Sequence, residues 1–298
     1  MENNILIGDV NMKNDVKTLN IYCDGGFGNR FNALTVGLLI AKVGNFKPVI
    51  LWPSTNWCRS SFQSIFKNEY EVLSDKMSSL RDSYDDHAFA MHNNCLNFPC
   101  SIAHPNSFNS IQNIVNYYNE SNKNYFVYNN DAIPGYAYGD GLQSIVKNLI
   151  FSDTITSSTN EFVKSIDTNF IGVHLRNTDF YDPHKPNFDS IYKLITDDVE
   201  NNYFICSDDE ELETKFTLLN NAFSYKKKKY VEKLTKDGEW RDVIVDEEGV
   251  EYPFNVERSD ESVIDAMVDL LILSKSTILN TSESTFLRTA LLIQESNA

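Results

Sequence analysis

Four short stretches of this chain combine residue types that can hold or transform an anionic ligand. The first, YCDGGFGNRFNAL (22–34), sets Gly26, Gly28 and Asn29 where an apolar run ends and a helical pattern begins. Glycines let a backbone come close to a ligand, and the free amides of a helix N-terminus attract negative charge. The second, IGVHLRNTDFYD (171–182), clusters His174, Arg176 and Asp179 at the end of another apolar run. An arginine there can give paired hydrogen bonds to a diphosphate, and Asp179 could orient it. The third, FICSDDEE (204–211), puts Asp208 just past a buried strand, placed to accept from a base or ribose. In the fourth, NTSESTFLRTALL (280–292), Ser284 and Thr285 stand at a helix start, where hydroxyls and amides bind phosphate.

Each stretch has a plainer reading. The glycine turn can be a tight turn and no more, and His174, Arg176 and Asp179 a satisfied histidine beside a surface ion pair. Asp208 and Ser284 are both in position to cap helices. A dinucleotide fingerprint is disfavoured, because Phe31 stands where the third glycine belongs. The next strand also ends in Leu51-Trp52-Pro53, without the acidic residue that would hold a ribose.

The elements that position these stretches form a strand–helix rhythm. LNIYC (19–23) and PVILW (48–52) read as strands around a helix over 29–43, whose apolar face is Phe31, Leu34, Leu38 and Ala41. SSFQSIF reads as a short helix, NYFVYN (124–129) as a strand, and GLQSIVKNLIF as the start of a helical stretch. A second series follows a break near 155–168: strand 170–176, strand 203–207, a helix through 210–220, a hairpin within 237–256, a helix over 261–275, strand STILN and a final helix. The fold expected is α/β, with two Rossmann-like domains facing across a cleft: residues 1–160 on the acceptor side and 161–298 binding the nucleotide.

Charge and composition narrow the partners. Against 26 Lys and Arg stand 42 Asp and Glu, a net charge of −16, which opposes binding to nucleic acid. The one basic block, Lys226–Lys229, reads as a solvated loop or helix end. No apolar run reaches the roughly 18 residues of a membrane span. The start, MENNILIGDVNMKND, lacks the basic and apolar regions of a signal peptide, so a cytoplasmic protein is expected. Five unevenly spaced cysteines fit reduced thiols. His92, Cys95, Cys100 and His104 have zinc-ligand chemistry; the central gap is too short for a finger and near a knuckle spacing, but the segment lacks the glycines and basic residues of nucleic-acid-binding knuckles, and an ordinary loop is the alternative.

Taken in order, GGFGNRFNAL, VILWPSTNWCRSSFQSIF, VHLRNTD, FICSDDEE and ESVIDAMVDLLILSKSTILNTSESTFLRTALL resemble the GDP-fucose-dependent fucosyltransferase superfamily. The likeness is greatest to the branch of nodulation and core α1,6-fucosyltransferases and protein O-fucosyltransferases, over about 20–68 and 168–293. The resemblance implies a GT-B-like fold, and inverting transfer of fucose or a related deoxyhexose from a GDP-sugar to an oligosaccharide or glycoconjugate acceptor. It implies no required metal, and the sequence has no Asp-x-Asp pair. Carried over, Arg176 would neutralise the β-phosphate, with Gly26, Gly28 and Asn29 closing over the diphosphate. His174 and Asp208 would hold guanine, and Ser284 and Thr285 would bind phosphate.

Two departures stand out. Many relatives have a second arginine where this chain has Asn177, so Arg30 or another cation would have to compensate. The base of the core-fucosylating relatives falls on His184, with Asp182 a nearby alternative. Acceptor contacts are expected from the polar middle region and the 237–256 hairpin, where Tyr136, Tyr138 and Trp240 could stack on sugars or simply pack. Two other functions compete: a sugar-nucleotide or glycan-binding protein without turnover, and a nicotinamide-dependent enzyme.

Overall fold

A computed structural model of the chain describes residues 16–74, 88–91, 111–120, 125–128, 139–166, 169–178, 186–245, 251–252, 254–279, 281 and 284–297. Strands β1 (Thr18–Tyr22), β2 (Lys47–Leu51), β3 (Glu71–Leu73), β4 (Ala88–Met91) and β5 (Tyr125–Tyr128) form a parallel sheet in the order β3-β2-β1-β5-β4. A second parallel sheet contains β6 (Phe170–Leu175), β7 (Asn202–Ser207), β8 (Ala222–Phe223) and, on its other edge, β11 (Thr277–Leu279), in the order β11-β6-β7-β8. The expected hairpin is a short antiparallel pair, β9 (Ile244–Val245) with β10 (Glu251–Tyr252).

The helices are α1 (Phe27–Gly44), α2 (Phe62–Ile65), α3 (Ile111–Glu120), α4 (Gly139–Lys147), α5 (Asp153–Ser165), α6 (Phe188–Asp197), α7 (Glu210–Thr217), α8 (Asp260–Leu273) and α9 (Thr285–Asn297). Two expectations are corrected. Residues 155–165 are the body of α5 rather than a break. Its Ser- and Thr-rich sequence is a weak helix former. Packing against α8 compensates, with Ile155 and Thr159 buried. The helix α1, expected to show one apolar face, also buries Ala33, Val36, Leu39 and Ile40. A helix that is apolar on all sides is a central one.

The surroundings of α1 agree with that. It packs on β1, α3, α4 and the C-terminal helix α9. Contact with the sheet needs Gly37, where a β-carbon would lie 2.5 Å from Ile21 Cγ2. One apolar cluster therefore runs from Leu19 and Ile21 of β1, through α1, to Leu287 of α9, the length of α8, and Phe204 and Cys206 of β7. The opposite face of the second sheet, with Val173, Leu175, Tyr203 and Ile205, packs on Ile195 of α6 and Phe216 of α7. Cover on both faces explains why β6 and β7 read as continuous apolar runs.

The loop after β2 is also tied to the segment before α8. Asn56 donates to the Val256 carbonyl at 3.0 Å, and the Arg258 amide donates to the Asn56 carbonyl at 2.8 Å. Trp57 packs edge-on against Phe254. This clasp brings Trp57 and Arg258 to the same place as the glycine turn.

Candidate functional site

A cavity of about 230 Å3 opens where the carboxyl ends of both parallel sheets meet. Ligands of open α/β sheets bind at such ends, where strand order reverses. One wall is the Gly25–Asn29 turn with Trp57. The facing wall includes His174, Arg176, Asp208, Lys227 and Asp269.

The glycine wall is made of backbone. Asp24 accepts from the Gly25 amide at 2.6 Å, and Gly25 takes a φ of 79° that favours glycine. Gly26 is the residue before α1 and has open space where a side chain would begin. At Gly28 a β-carbon would lie 2.7 Å from Thr285 Oγ1 and 2.8 Å from the Thr285 carbonyl carbon. The N-termini of α1 and α9 are thus in contact at this glycine, and Thr285 and Phe286 join the cavity wall. Two helix N-termini at one cavity make a site for an anion.

Arg30 does not stand in for the missing second arginine. It is fully buried, and its Nε, Nη1 and Nη2 donate to Gly25 O at 2.7 Å, Pro53 O at 2.8 Å and Thr55 Oγ1 at 3.0 Å. It holds the turn from behind. The second arginine on the cavity wall is Arg258, whose guanidinium lies 5.7 Å from the Trp57 ring centroid, and Lys227 and Lys229 line the cavity as well.

On the other wall the end of β6 carries both His174 and Arg176. His174 is buried, stacks on Phe286 at 4.8 Å, and has its Nδ1 3.3 Å from Ser284 Oγ. Burial, helped by the Arg176 and Lys227 charges, pulls its imidazole down to about 3, so the ring is neutral near pH 7. Ser284 accepts from the Leu287 amide at 3.2 Å. It is the N-cap, and it braces His174 without lining the cavity, whereas Thr285 does line it.

Both oxygens of Asp208 are engaged. Oδ1 accepts from the Asn177 amide at 2.8 Å and Oδ2 from the Thr178 hydroxyl at 2.6 Å, with Arg176 Nε 4.0 Å from Oδ2. Asn177 itself donates to Asp209, the N-cap of α7, at 2.7 Å. These contacts fix the turn that carries Arg176.

Sequence reasoning missed the most buried charges of the site. Lys227 is no solvated lysine. Its side chain is 4% exposed, and its ammonium donates to Glu213, to Asp269 Oδ2 at 2.8 Å and to Ser207 O at 3.1 Å. Burial works against its charge, but Asp269 and Glu213 outweigh that and hold it ionised. The backbone is pinned too, since the Lys228 and Lys229 amides donate to Asp265 Oδ2 at 2.5 and 3.0 Å. Asp265 and Asp269, one turn apart in α8, are both buried. The other oxygen of Asp269, Oδ1, is buried without a hydrogen-bond partner among the described residues, and Asp269 lines the cavity. Burial pushes this carboxyl up to about 8. Lys227 pulls against the shift, while Glu213 and Asp265 add to it. The signal in the sequence was a pair of acids four apart in an otherwise apolar helix.

Several expected site residues lie outside the described residues: Asp179, Asp182, His184, Tyr136, Tyr138 and the His92, Cys95, Cys100, His104 group. Trp240 is described, with Lys233 Nζ 5.4 Å from its ring. Cys23, Cys58 and Cys206 are buried thiols. Among the described residues no three His, Cys, Asp or Glu side chains converge as a metal cage requires, and no helix is long and apolar enough to cross a membrane.

This arrangement of parallel sheets has known counterparts. The fold is that of a solved glycosyltransferase, the fucosyltransferase NodZ from Bradyrhizobium. That structure aligns with a TM-score of 0.54 at 15% identity, covering 93% of each chain. A structure of NodZ alpha-1,6-fucosyltransferase soaked with GDP-fucose gives 0.55 at 14% identity, over 93% of this chain and 92% of that one. Apo POFUT1 aligns at 0.48 and 12% identity, over 94% and 96%. No protein-family model and no curated protein sequence matches this chain.

Proposed function

We propose that this protein is an inverting glycosyltransferase that moves L-fucose, or a related deoxyhexose, from a GDP-sugar to a hydroxyl of an oligosaccharide or glycoconjugate. The observation that carries the reading is the cavity itself. Its lining combines two helix N-termini and Arg176 with neutral His174 and with Asp269, whose Oδ1 has no hydrogen-bond partner among the described residues. A diphosphate suits the first group. Guanine suits the second, because its N1–H and 2-amino group form a donor edge that a carboxylate accepts. Adenine offers an acceptor at that place. Asp269 therefore replaces Asp208 as the base-reading carboxylate in this proposal, and Asp208 holds the Arg176 turn.

The chemistry follows from charge. As the bond to the sugar breaks, the diphosphate gains negative charge and the sugar becomes oxocarbenium-like. Arg176, Arg258 and the amides of Gly26–Gly28 stabilise the departing oxygens, which supplies the role that a metal ion plays elsewhere. The acceptor hydroxyl needs a base within hydrogen-bond reach, for which His184 or Asp182 is proposed. Residues 1–160 and 161–298 would act as two GT-B-like domains on either side of the cleft, in a cytoplasmic enzyme. The GDP-fucose used with NodZ is the reason to begin with that donor.

A thermal-shift panel with GDP, UDP, ADP, NAD and NADP, each with and without EDTA, tests the reading. A ligand at about 100 times its Kd adds roughly 2.7 kcal/mol of stability. Selective stabilisation by GDP that EDTA leaves intact is expected, followed by fucose transfer to a glycan array. Stabilisation by NAD or UDP in its place would remove the proposal. GDP binding with no turnover of GDP-fucose or other GDP-deoxyhexoses on any acceptor would leave a sugar-nucleotide-binding protein.

A further inference from the structure

The lysine run places one ammonium between two buried acids, and the two are not equivalent. Glu213 receives three donors: the Ser207 amide at 2.8 Å, the Tyr230 hydroxyl at 2.6 Å and Lys227. Among the described residues Asp269 receives only Lys227, on Oδ2, while its Oδ1 is buried without a partner in a residue that lines the cavity. With both acids ionised the trio carries one excess negative charge in a buried site, which is costly. A proton taken up to relieve it resides where hydrogen bonds are fewest, on Asp269.

We propose that Lys227 is a positioning residue for base selectivity, which holds Asp269 by one oxygen and sets how readily the other accepts from the N–H edge of guanine. The inference rests on the GDP-sugar reading above. The other ionisable groups that act on Asp269 are Glu213 from α7, Asp265 from its own helix, Cys206 from β7, and Tyr225 and Tyr230 from the segment that also supplies Lys227. Of these, Lys227 is the cation bonded to it.

The consequence is a proton linkage with a definite sign. Protonated, Asp269 presents an O–H that suits an acceptor such as adenine N1. Ionised, it presents the acceptor that guanine requires. Burial raises this carboxyl to about 8, so below that pH guanine binding expels a proton, and affinity rises with pH until the group is ionised in the empty site. Adenine has the opposite preference. The terminal phosphate titrates identically in GDP and ADP, and neutral His174 stays neutral, so the ratio of the two affinities isolates Asp269. Without Lys227 the proton is held to higher pH and GDP binding weakens at neutrality.

Calorimetric titration of the full chain with GDP, IDP and ADP between about pH 6 and pH 9, in two buffers of different ionisation heat, reads this directly. In the wild type, the GDP-to-ADP affinity ratio is expected to climb by up to about tenfold per pH unit through the range, because GDP affinity levels off near the Asp269 transition just where ADP affinity begins to fall, with GDP binding releasing close to one proton at the acid end. IDP, which keeps N1–H but lacks the 2-amino group, should show the same slope with weaker binding. Lys227→Met should lose about tenfold or more in GDP affinity at pH 7 and recover as pH rises, and Lys227→Arg should restore the wild-type profile. A folded Lys227→Met protein with the wild-type ratio at every pH would overturn the proposal. If that variant does not fold, the wild type decides alone, because a pH-independent ratio with no difference between buffers overturns it equally. Failure to bind GDP at any pH would sink the functional reading, whereas GDP binding with a flat ratio sinks only this inference.

Discussion

The two walls of the cavity are built on opposite plans. The wall after β1 presents backbone, and its cationic support, Arg30, is turned away and bonded to two carbonyls and a hydroxyl, with Asp24 beside it. The wall from the second sheet and α8 presents charged side chains, and one of its carboxyl oxygens is left bare. A buried cation whose hydrogen bonds all go to neutral acceptors, with the single acid Asp24 at 3.7 Å, is scaffold. A buried cation among excess acids, with an unsatisfied oxygen beside it, belongs to a site that a ligand completes. The first wall should therefore be sensitive to shape and the second to charge.

The largest effect expected is on the charged wall. Arg176→Ala removes the cation proposed to face the leaving diphosphate, and loss of one such donor lowers turnover by about 10²–10³. Because Arg176 lies at a half-buried strand end, the melting temperature should change little. Steady-state transfer rates together with a melting curve check this. A variant with near-normal turnover would show that charge on this wall is not what drives the reaction.

The backbone wall gives the next effect, and it should be steric. A β-carbon at Gly28 would lie under 3 Å from Thr285, so Gly28→Ala must separate the N-termini of α1 and α9. Overpacking of this kind costs about 1–3 kcal/mol. Stability and GDP affinity should fall together. Gly26→Ala is the control: its backbone is ordinary and nothing stands within 4 Å of the new carbon, so its melting temperature should match the wild type. Equal stability for both variants would mean that helix contact does not shape this wall.

The same contrast explains what the sequence could and could not disclose. The glycine turn, His174 and Arg176 at the end of β6, and Thr285 at the start of α9 were legible because each is a local event: an apolar run, then residues suited to a turn or helix start. Lys227 was not. A lysine run is normally solvated, and only pairing with Glu213, 14 residues earlier, and with α8, far beyond it, makes this one a core residue. The helix α5 was hidden for a related reason, because its stability comes from α8 rather than from its own Ser- and Thr-rich sequence. Asp208 and Ser284 are instructive in between. Both were singled out, and Asp208 lines the cavity while Ser284 stands behind it, yet their polar atoms are spent on the Arg176 turn and the α9 cap rather than on open space.

The smallest effect expected is on stability against pH, and it tests whether His174 belongs to the charged wall at all. Its imidazole is pulled down to about 3 from an ordinary value near 6.5. A base depressed in the folded state contributes stability that is complete above about pH 6.5 and is lost as pH falls toward 3. Over that window the loss amounts to at most about 1.4 kcal/mol per pH unit. His174→Gln should be the less stable protein at pH 7, having lost the Phe286 stack and the Ser284 contact. It carries no titrating ring, so its deficit against the wild type should shrink between about pH 6.5 and pH 5, by roughly 2 kcal/mol. Denaturant melts of both proteins at each pH measure that gap. A deficit that stays constant would mean the ring accepts its proton in place, which would set two adjacent charges, His174 and Arg176, on the wall and contradict a neutral partner for the base.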